Sequence, residues 1–411
     1  MQTIASTLDC YYGTNCNSLW SLEEELSRKF SAYAKNYEFP KLHRSYFHSV
    51  ERYCPVICSQ LTWSHDGTSI CGVFDDFGIR QYLIPEDPLV DHWVPFTRWF
   101  VNGSIISSVV HPRYSLYEED SAYQTILCSS RDLPIKLYSL RSDSINETSL
   151  YHYSTVNEEN EAFETAYSMT ILQDTMHFMT GSVRNRITMY DYNRHKPIWQ
   201  HQWTKQSCGK SSQKAIVSCF DEYNEVHDNV RFAGTYKTEV LRIDTRSTKS
   251  ELISERDSLD SWSNGIYQVI KSDNGHYLYC IKRNAREIDV IDTRMLKSRI
   301  NILELPFKIG KQKFKASLNS AKGLLIGSYD GQVACWDKDC IEFGGLDPLQ
   351  TAGTGIKPTN NILISDENVR VNCIATNPVD PNTLAISTST DKFADDEGMT
   401  LKTSVKLIRM H

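Results

Sequence analysis

The chain has 411 residues, 40% of them hydrophobic and 23% charged, and a formal net charge of −7. That balance suits a globular protein with a sizeable core, and it excludes a histone-like protein held to nucleic acid by bulk charge. No apolar run reaches the roughly 18 residues of a membrane-spanning helix. "MQTIASTLDCYYGTNC" lacks the basic start and apolar centre of a secretory signal.

The 12 cysteines are therefore expected as reduced thiols. Cys54 with Cys58, and Cys335 with Cys340, have no matching pair at zinc-site spacing, so no metal is expected.

The first predicted element is a helix in "SLWSLEEELSRKFSAY". Trp20, Leu22, Leu26, Phe30 and Tyr33 fall at helical spacing, with acids early and bases late. It either covers an edge of the fold or binds a partner. The next stretch, "YFHSVERYCPVIC", is expected to supply an outer strand to the last sheet.

From there the chain repeats itself. "SICGVFDDFGIRQY" places Ile79 six residues after Val73, and Tyr82 three later. The same ruler fits Ser129–Ile135–Tyr138, Gly181–Ile187–Tyr190, Gly234–Val240–Ile243, Lys282–Ile288–Ile291 and Gly327–Val333–Trp336. A seventh copy runs from Ser387–Ser389 to Val405 and Ile408 around an insertion. Each copy reads as a hairpin: an apolar strand, often ending in small residues such as Gly181-Ser182, a polar turn, then a strand with Ile or Val followed three residues later by an aromatic or Ile. A further strand precedes the hairpin, as in "SQLTWS", "AYSMTIL", "GIYQVIK" and "RVNCIAT".

Recurrence about every 45 to 70 residues fits propeller blades with some long loops. One such sheet cannot bury both faces, whereas seven arranged radially can. The expected fold is all-β, a seven-bladed β-propeller of WD-repeat type over residues 47–411, with residues 1–46 as a partly helical extension.

Two motifs are set aside on this reading. Asp76-Phe77-Gly78 matches the magnesium tripeptide of protein kinases, but it falls in a hairpin turn and the other kinase signatures are missing. "SCGKSS" lacks the first glycine of a phosphate-binding loop, and a strand rather than a helix follows it.

"LTWSHDGTSICGVFDDFGIRQYLIPED", "CSSRDLPIKLYSL" and "LLIGSYDGQVACWD" resemble the WD-repeat family of the telomerase Cajal-body protein. Within it they look most like the yeast member that assists pre-mRNA splicing. Ser129-Ser130-Arg131-x-x-Pro134-Ile135 is the most specific piece, and the likeness covers roughly Cys58 to Arg409. The resemblance implies a nuclear WD-repeat scaffold without enzymatic activity or cofactor. It would associate with snRNP proteins or small nuclear RNA and support the particle that recognises the 5′ splice site. The animal member binds a short box in Cajal-body and telomerase RNAs, which makes direct RNA recognition the alternative. This chain lacks that member's long Pro-rich N-terminus and most of its Trp-Asp pairs. Neither a membrane nor a small-molecule substrate is expected, and the chain is expected to be monomeric.

No catalytic constellation stands out, so candidate sites are binding surfaces. "NRHKPIWQHQWTKQSCGK" interleaves Arg194, Lys196, Lys205 and Lys210 with Trp199 and Trp203. Cations can hold phosphates while aromatic faces stack on bases. Equally, the tryptophans can pack inward and leave a plain basic rim. A second group, Arg131, Arg184, Arg186, Lys282, Arg283 and Arg286, falls in equivalent hairpin turns, which a propeller brings to one face. "KIGKQKFK", Lys308 to Lys315, is a third basic segment, read as a loop between blades.

Overall fold

The structure is a computed structural model. It describes residues 1–7, 11–12, 54–55, 57–88, 93, 95–101, 103–141, 149–157, 161–201, 215–222, 229–246, 249–254, 265–295, 299–310, 314–345, 355–364, 369–390 and 403–410.

Seven four-stranded antiparallel sheets form a β-propeller. Blade one comprises Cys58–Trp63, Ser69–Phe74, Gly78–Leu83 and Thr97–Phe100. Blade two is Ile105–Val110, Thr125–Ser130, Ile135–Ser139 and Tyr151–Tyr153. Blade three is Ser168–Ile171, His177–Gly181, Ile187–Asp191 and Trp199–His201. Blade four is Val217–Phe220, Val230–Thr235, Val240–Asp244 and Lys249–Ser254. Blade five is Ile266–Lys271, Tyr277–Lys282, Glu287–Asp292 and Arg299–Glu304. Blade six is Ser317–Asn319, Gly323–Gly327, Gln332–Trp336 and Asn360–Leu363. Blade seven is Arg370–Thr376, Thr383–Ser389 and Thr403–Arg409, and its outer strand is Gln2–Ser6.

The repeat ruler is the hairpin register. Val73 pairs with Ile79, Gly181 with Ile187, Gly234 with Val240, Gly327 with Val333 and Ser387 with Val405. Blade five departs from the expectation. Its pair is Ile281 with Ile288, seven residues apart, so the turn there is one residue longer and Lys282 ends a strand. The seven equivalent residues, from Ile79 to Val405, are all 2% exposed or less and sit between neighbouring sheets.

Small residues at the end of the second strand let the next blade approach. A Cβ on Gly181 would lie 2.5 Å from Val217 Cγ1, one on Gly234 2.6 Å from Ile266 Cγ2, and one on Gly327 2.6 Å from Val371 Cβ. In each case the inner strand of the following blade is an obstacle, joined at Gly181 and Gly234 by Ser168 and Cys219 of the same blade. Ser387 uses the same position to donate to the Cys58 carbonyl at 2.7 Å, joining blade seven to blade one. Gly327→Ala is expected to cost about 1–3 kcal/mol through overpacking, since Val371 lies on a buried strand. Unfolding in guanidinium measures it, and an unshifted midpoint would contradict this account of blade spacing.

Ring closure differs from the expectation. The N-terminal strand Gln2–Ser6 pairs with Thr403–Arg409 in the register Gln2↔Arg409 to Ser6↔Lys406, and no part of "YFHSVERYCPVIC" joins that sheet among the described residues. Thr7 extends the lock, its amide donating to the Val405 carbonyl and its Oγ1 accepting from the Val405 amide, both at 3.0 Å. Residues 2–6 thus belong to the propeller rather than to an extension outside it. Beyond them, Tyr11–Tyr12 pairs with Cys54–Pro55. The helix expected around Trp20 to Tyr33 lies outside the described residues.

One buried histidine ties blade two to blade three. His111 is 5% exposed, stands 5.1 Å from the Tyr123 ring and 6.4 Å from Tyr192, and its Nδ1 accepts from the Arg113 amide at 3.2 Å. Burial, with Arg113 nearby, lowers its pKa from 6.5 to about 4. The fold therefore favours neutral His111, so this stability is present above pH 6.5 and is lost as pH falls towards 4. The loss is of order 2–3 kcal/mol. His111→Gln should flatten that part of the acid-unfolding curve, as read by circular dichroism between pH 7 and 4.5. An unchanged slope would rule the residue out.

Candidate interaction face

The antiparallel order places every turn between second and third strands on one face of the propeller, together with the connections between blades. This is the hairpin face. The turns between inner and second strands, and between third and outer strands, lie opposite.

Blade one settles the Asp76-Phe77-Gly78 motif as a turn. Asp76 accepts from the Gly78 amide at 2.9 Å and binds Arg80 at 2.6 Å, while Phe77 takes a positive φ of 67°. The Arg80 guanidinium lies 4.0 Å over the Phe74 ring. The carboxylate that a kinase would turn to magnesium is held within its own hairpin.

The six turn cations divide into three kinds. Arg131, Arg184 and Arg286 are exposed on the hairpin face. Arg186 and Lys282 are buried: Arg186 pairs with Glu164 at 2.8 Å, and Lys282 with Asp289 at 2.7 Å. Both flank strand ends, and their charges are engaged by carboxylates within the fold. Arg283 is half-buried, its guanidinium 4.3 Å from the Tyr236 ring and 5.0 Å from the Tyr267 ring.

The tryptophan-rich segment stands elsewhere. Arg194 and Lys196 are exposed on the opposite face, in the turn before the outer strand of blade three. Arg194 lies 3.5 Å from Asp191. His195 stacks on Tyr151 at 4.1 Å, and its Nδ1 lies 2.8 Å from the His152 carbonyl. Trp199 packs, half-buried, against the core shared by blades three and four, which matches the inward-packing alternative. Trp203, Lys205 and Lys210 lie outside the described residues. The two basic groups read from sequence are thus on different faces and do not form one site.

Residues missed in the sequence complete a cluster on the hairpin face. Tyr236 and Tyr329 occupy equivalent turns, two residues after Gly234 and Gly327, a repeat visible in "GTYK" and "GSYD". Tyr267, on the inner strand of blade five, donates to the Gly310 carbonyl at 3.0 Å. Arg370, at the head of blade seven, lies 4.2 Å over Tyr329, which meets Phe314 edge-on at 5.0 Å. Burial raises the Tyr236 and Tyr267 hydroxyls, and the adjacent Arg283 acts against that rise. Lys308 is exposed on the neighbouring connection, while Lys315 reaches Glu222 at 3.1 Å. Lys311 and Lys313 lie outside the described residues.

Among the described residues, no group of three His, Cys, Asp or Glu side chains gathers as a metal site. Cys58, Cys71, Cys128, Cys219, Cys280, Cys335 and Cys373 are buried free thiols, and Cys340 is a half-buried one. A cleft lined by Glu164, Ser182, Arg186 and Tyr190 has about 20 Å³ of usable space, room for about one water. No helix of the described residues is long and apolar enough to cross a membrane.

Fold and surface together define a seven-bladed β-propeller with a hairpin face carrying exposed arginines and an arginine–tyrosine cluster. The chain is 41% identical over 346 residues to Protein SWT21 of Eremothecium gossypii, covering 83% of each chain. It is 36% identical to Protein SWT21 of Vanderwaltozyma polyspora over 99% of this chain and 97% of that one. Protein SWT21 of Saccharomyces cerevisiae strain YJM789 is 34% identical over 81% of this chain and 96% of its own. The chain belongs to the SWT21 family. No family model matches it.

Proposed function

We propose that the protein is a non-enzymatic nuclear scaffold that assists pre-mRNA splicing by associating with snRNPs. In this reading it supports the particle that recognises the 5′ splice site. The observation that carries the proposal is the placing of Arg131. It belongs to the Ser129-to-Ile135 motif of the splicing-associated resemblance, and it is exposed on the hairpin face rather than used within the sheet. Arg184 and Arg286 are exposed on the same face, which gives snRNP components one charged surface to meet.

Purification of the tagged chain from nuclear extract, with mass spectrometry and RNA sequencing of what accompanies it, tests the proposal. snRNP proteins and small nuclear RNA are the expected companions. Their absence, or a fluorescent fusion confined to the cytoplasm, would overturn it.

Exposed Arg131, Arg184 and Arg286 also favour a second reading, direct recognition of a short box in a small nuclear, Cajal-body-type or telomerase RNA. Purified protein would then shift bare RNA, with affinity falling steeply as salt rises. Arg131→Gln with Arg184→Gln would abolish the shift.

A further inference from the structure

The buried cations of this propeller have carboxylate partners: Arg80 with Asp76, Arg186 with Glu164, Arg231 and Lys271 with Asp221, and Lys282 with Asp289. Arg283 differs. It sits half-buried on the hairpin face, in the turn after the second strand of blade five, between the faces of Tyr236 and Tyr267, and no carboxylate pairs with it among the described residues. Its Nε is out of reach of solvent and has no hydrogen-bond partner among the described residues.

A guanidinium held between two aromatic rings and hydrogen-bonded to their hydroxyls keeps its charge and is fixed in orientation, which leaves its remaining donors in a plane matched to a carboxylate. The stack also lowers the entropy lost on binding, because the arginine is already ordered. The hairpin face around it repeats the theme. Arg370 lies over Tyr329 at 4.2 Å, and Arg286 and Lys308 are exposed nearby on the same face.

We infer that Arg283, flanked by Tyr236 and Tyr267, anchors a docking site on the hairpin face for an acidic peptide segment of a partner protein. The inference deepens the scaffold reading above and rests on it for the presence of a protein partner. A carboxylate of the segment supplies the missing counter-charge to Arg283, and neighbouring acids of the same segment meet Arg370, Arg286 and Lys308.

A nucleic-acid strand fits this sector less well. RNA carries a phosphate at every nucleotide and binds best along an unbroken cationic track. Here Asp330 is exposed beside Tyr329, and Glu287, Asp289 and Glu304 stand half-buried on the flanking strands, so anions interrupt the cations. The aromatic faces that would stack on bases are already covered, Tyr236 and Tyr267 by Arg283 and Tyr329 by Arg370. Discrete carboxylates on a flexible peptide can meet the cations and pass between the acids.

The test uses the full chain and three fluorescein-labelled probes: a twelve-residue peptide rich in Glu, the same peptide with Gln for Glu, and a twelve-nucleotide oligouridylate. Anisotropy at low salt should show binding of the Glu peptide alone, weakened about tenfold or more by Arg283→Gln. Arg283→Lys, which keeps the charge but loses the planar fork, should fall between. The thermal midpoints of both variants should stay near that of the parent chain, since the side chain removed has no buried ion pair. Failure to bind the Glu peptide, equal binding by Arg283→Gln, or preferential binding of the oligouridylate would each overturn the proposal. Recovery of snRNPs from extract separates the two levels. If Arg283→Gln recovers them as well as the parent chain does, the scaffold stands and this site falls. If neither recovers them, the scaffold reading falls as well.

Discussion

Asp221→Ala is expected to destabilise the protein by about 3–5 kcal/mol, the usual consequence of leaving buried charge without its partner. Asp221 follows the inner strand of blade four and has 0% side-chain exposure. One carboxylate oxygen accepts from the Phe232 amide at 2.9 Å, and the other faces Arg231 Nη1 at 3.5 Å and Lys271 Nζ at 3.8 Å. Both cations are 4% exposed, so neither can turn to water when the carboxylate is removed. Arg231 also donates to the Ile171 carbonyl at 2.6 Å, which draws blade three into the same network. One carboxylate therefore links blades three, four and five.

Asp221→Asn keeps an acceptor for the Phe232 amide but not the charge, so it should show most of the loss and be only somewhat milder than the alanine variant. Guanidinium unfolding of the two variants, followed by tryptophan fluorescence, measures the difference. A change below about 1 kcal/mol for the alanine variant, the range of an exposed ion pair, would mean that water or a rearranged side chain replaces Asp221.

Deleting residues 1–7 is the second large effect. The segment closes the ring by edge pairing, with Ala5 fully buried and Ser6 and Thr7 nearly so. It also accepts the Trp93 amide at the Ser6 carbonyl, 3.1 Å, which fastens blade one to blade seven. Loss of about five hydrogen bonds at roughly 0.5–1.5 kcal/mol each comes to about 2.5–7.5 kcal/mol. The strand Thr403–Arg409 would then become an open edge, able to pair with another chain. A lower melting temperature with concentration-dependent association in size-exclusion chromatography is expected. A truncated chain that melts as the parent does and stays the same size would show that another segment can take the outer position.

The hairpins were legible because their cause is local. Two strands joined by a tight turn repeat a spacing, and Val73–Ile79 or Gly327–Val333 shows it at sight. Blade five escaped the ruler by one residue, since its extra turn residue leaves Ile288 apolar and still three residues before Ile291. Nothing in composition distinguishes Lys282 in a turn from Lys282 at a strand end. Only the pairing of Ile281 with Ile288 does so.

Site residues were legible in type but not in direction. Arg184 and Arg186 are two residues apart, yet one is exposed and the other is buried against Glu164, 22 residues back in the chain. Arg194 and Lys196 are a basic candidate separate from the turn group of Arg131, and nothing local shows that the two lie on opposite faces. Tyr236 and Tyr329 carry a readable signal, a tyrosine two residues after a repeat glycine, although a pattern of cations does not include them.

By itself, the sequence determined the number of blades, the place of each hairpin and the small residues where blades touch. These follow from strand periodicity and turn chemistry over a dozen residues at a time. The tertiary structure alone decided which segment closes the ring, which cations pair with carboxylates across blades, and which arginine is left between two tyrosines. Those outcomes depend on contacts between residues such as Thr7 and Val405, or Tyr236 and Arg283, that no local pattern relates. Their free energy comes from shared burial, which exists only once the seven sheets have met.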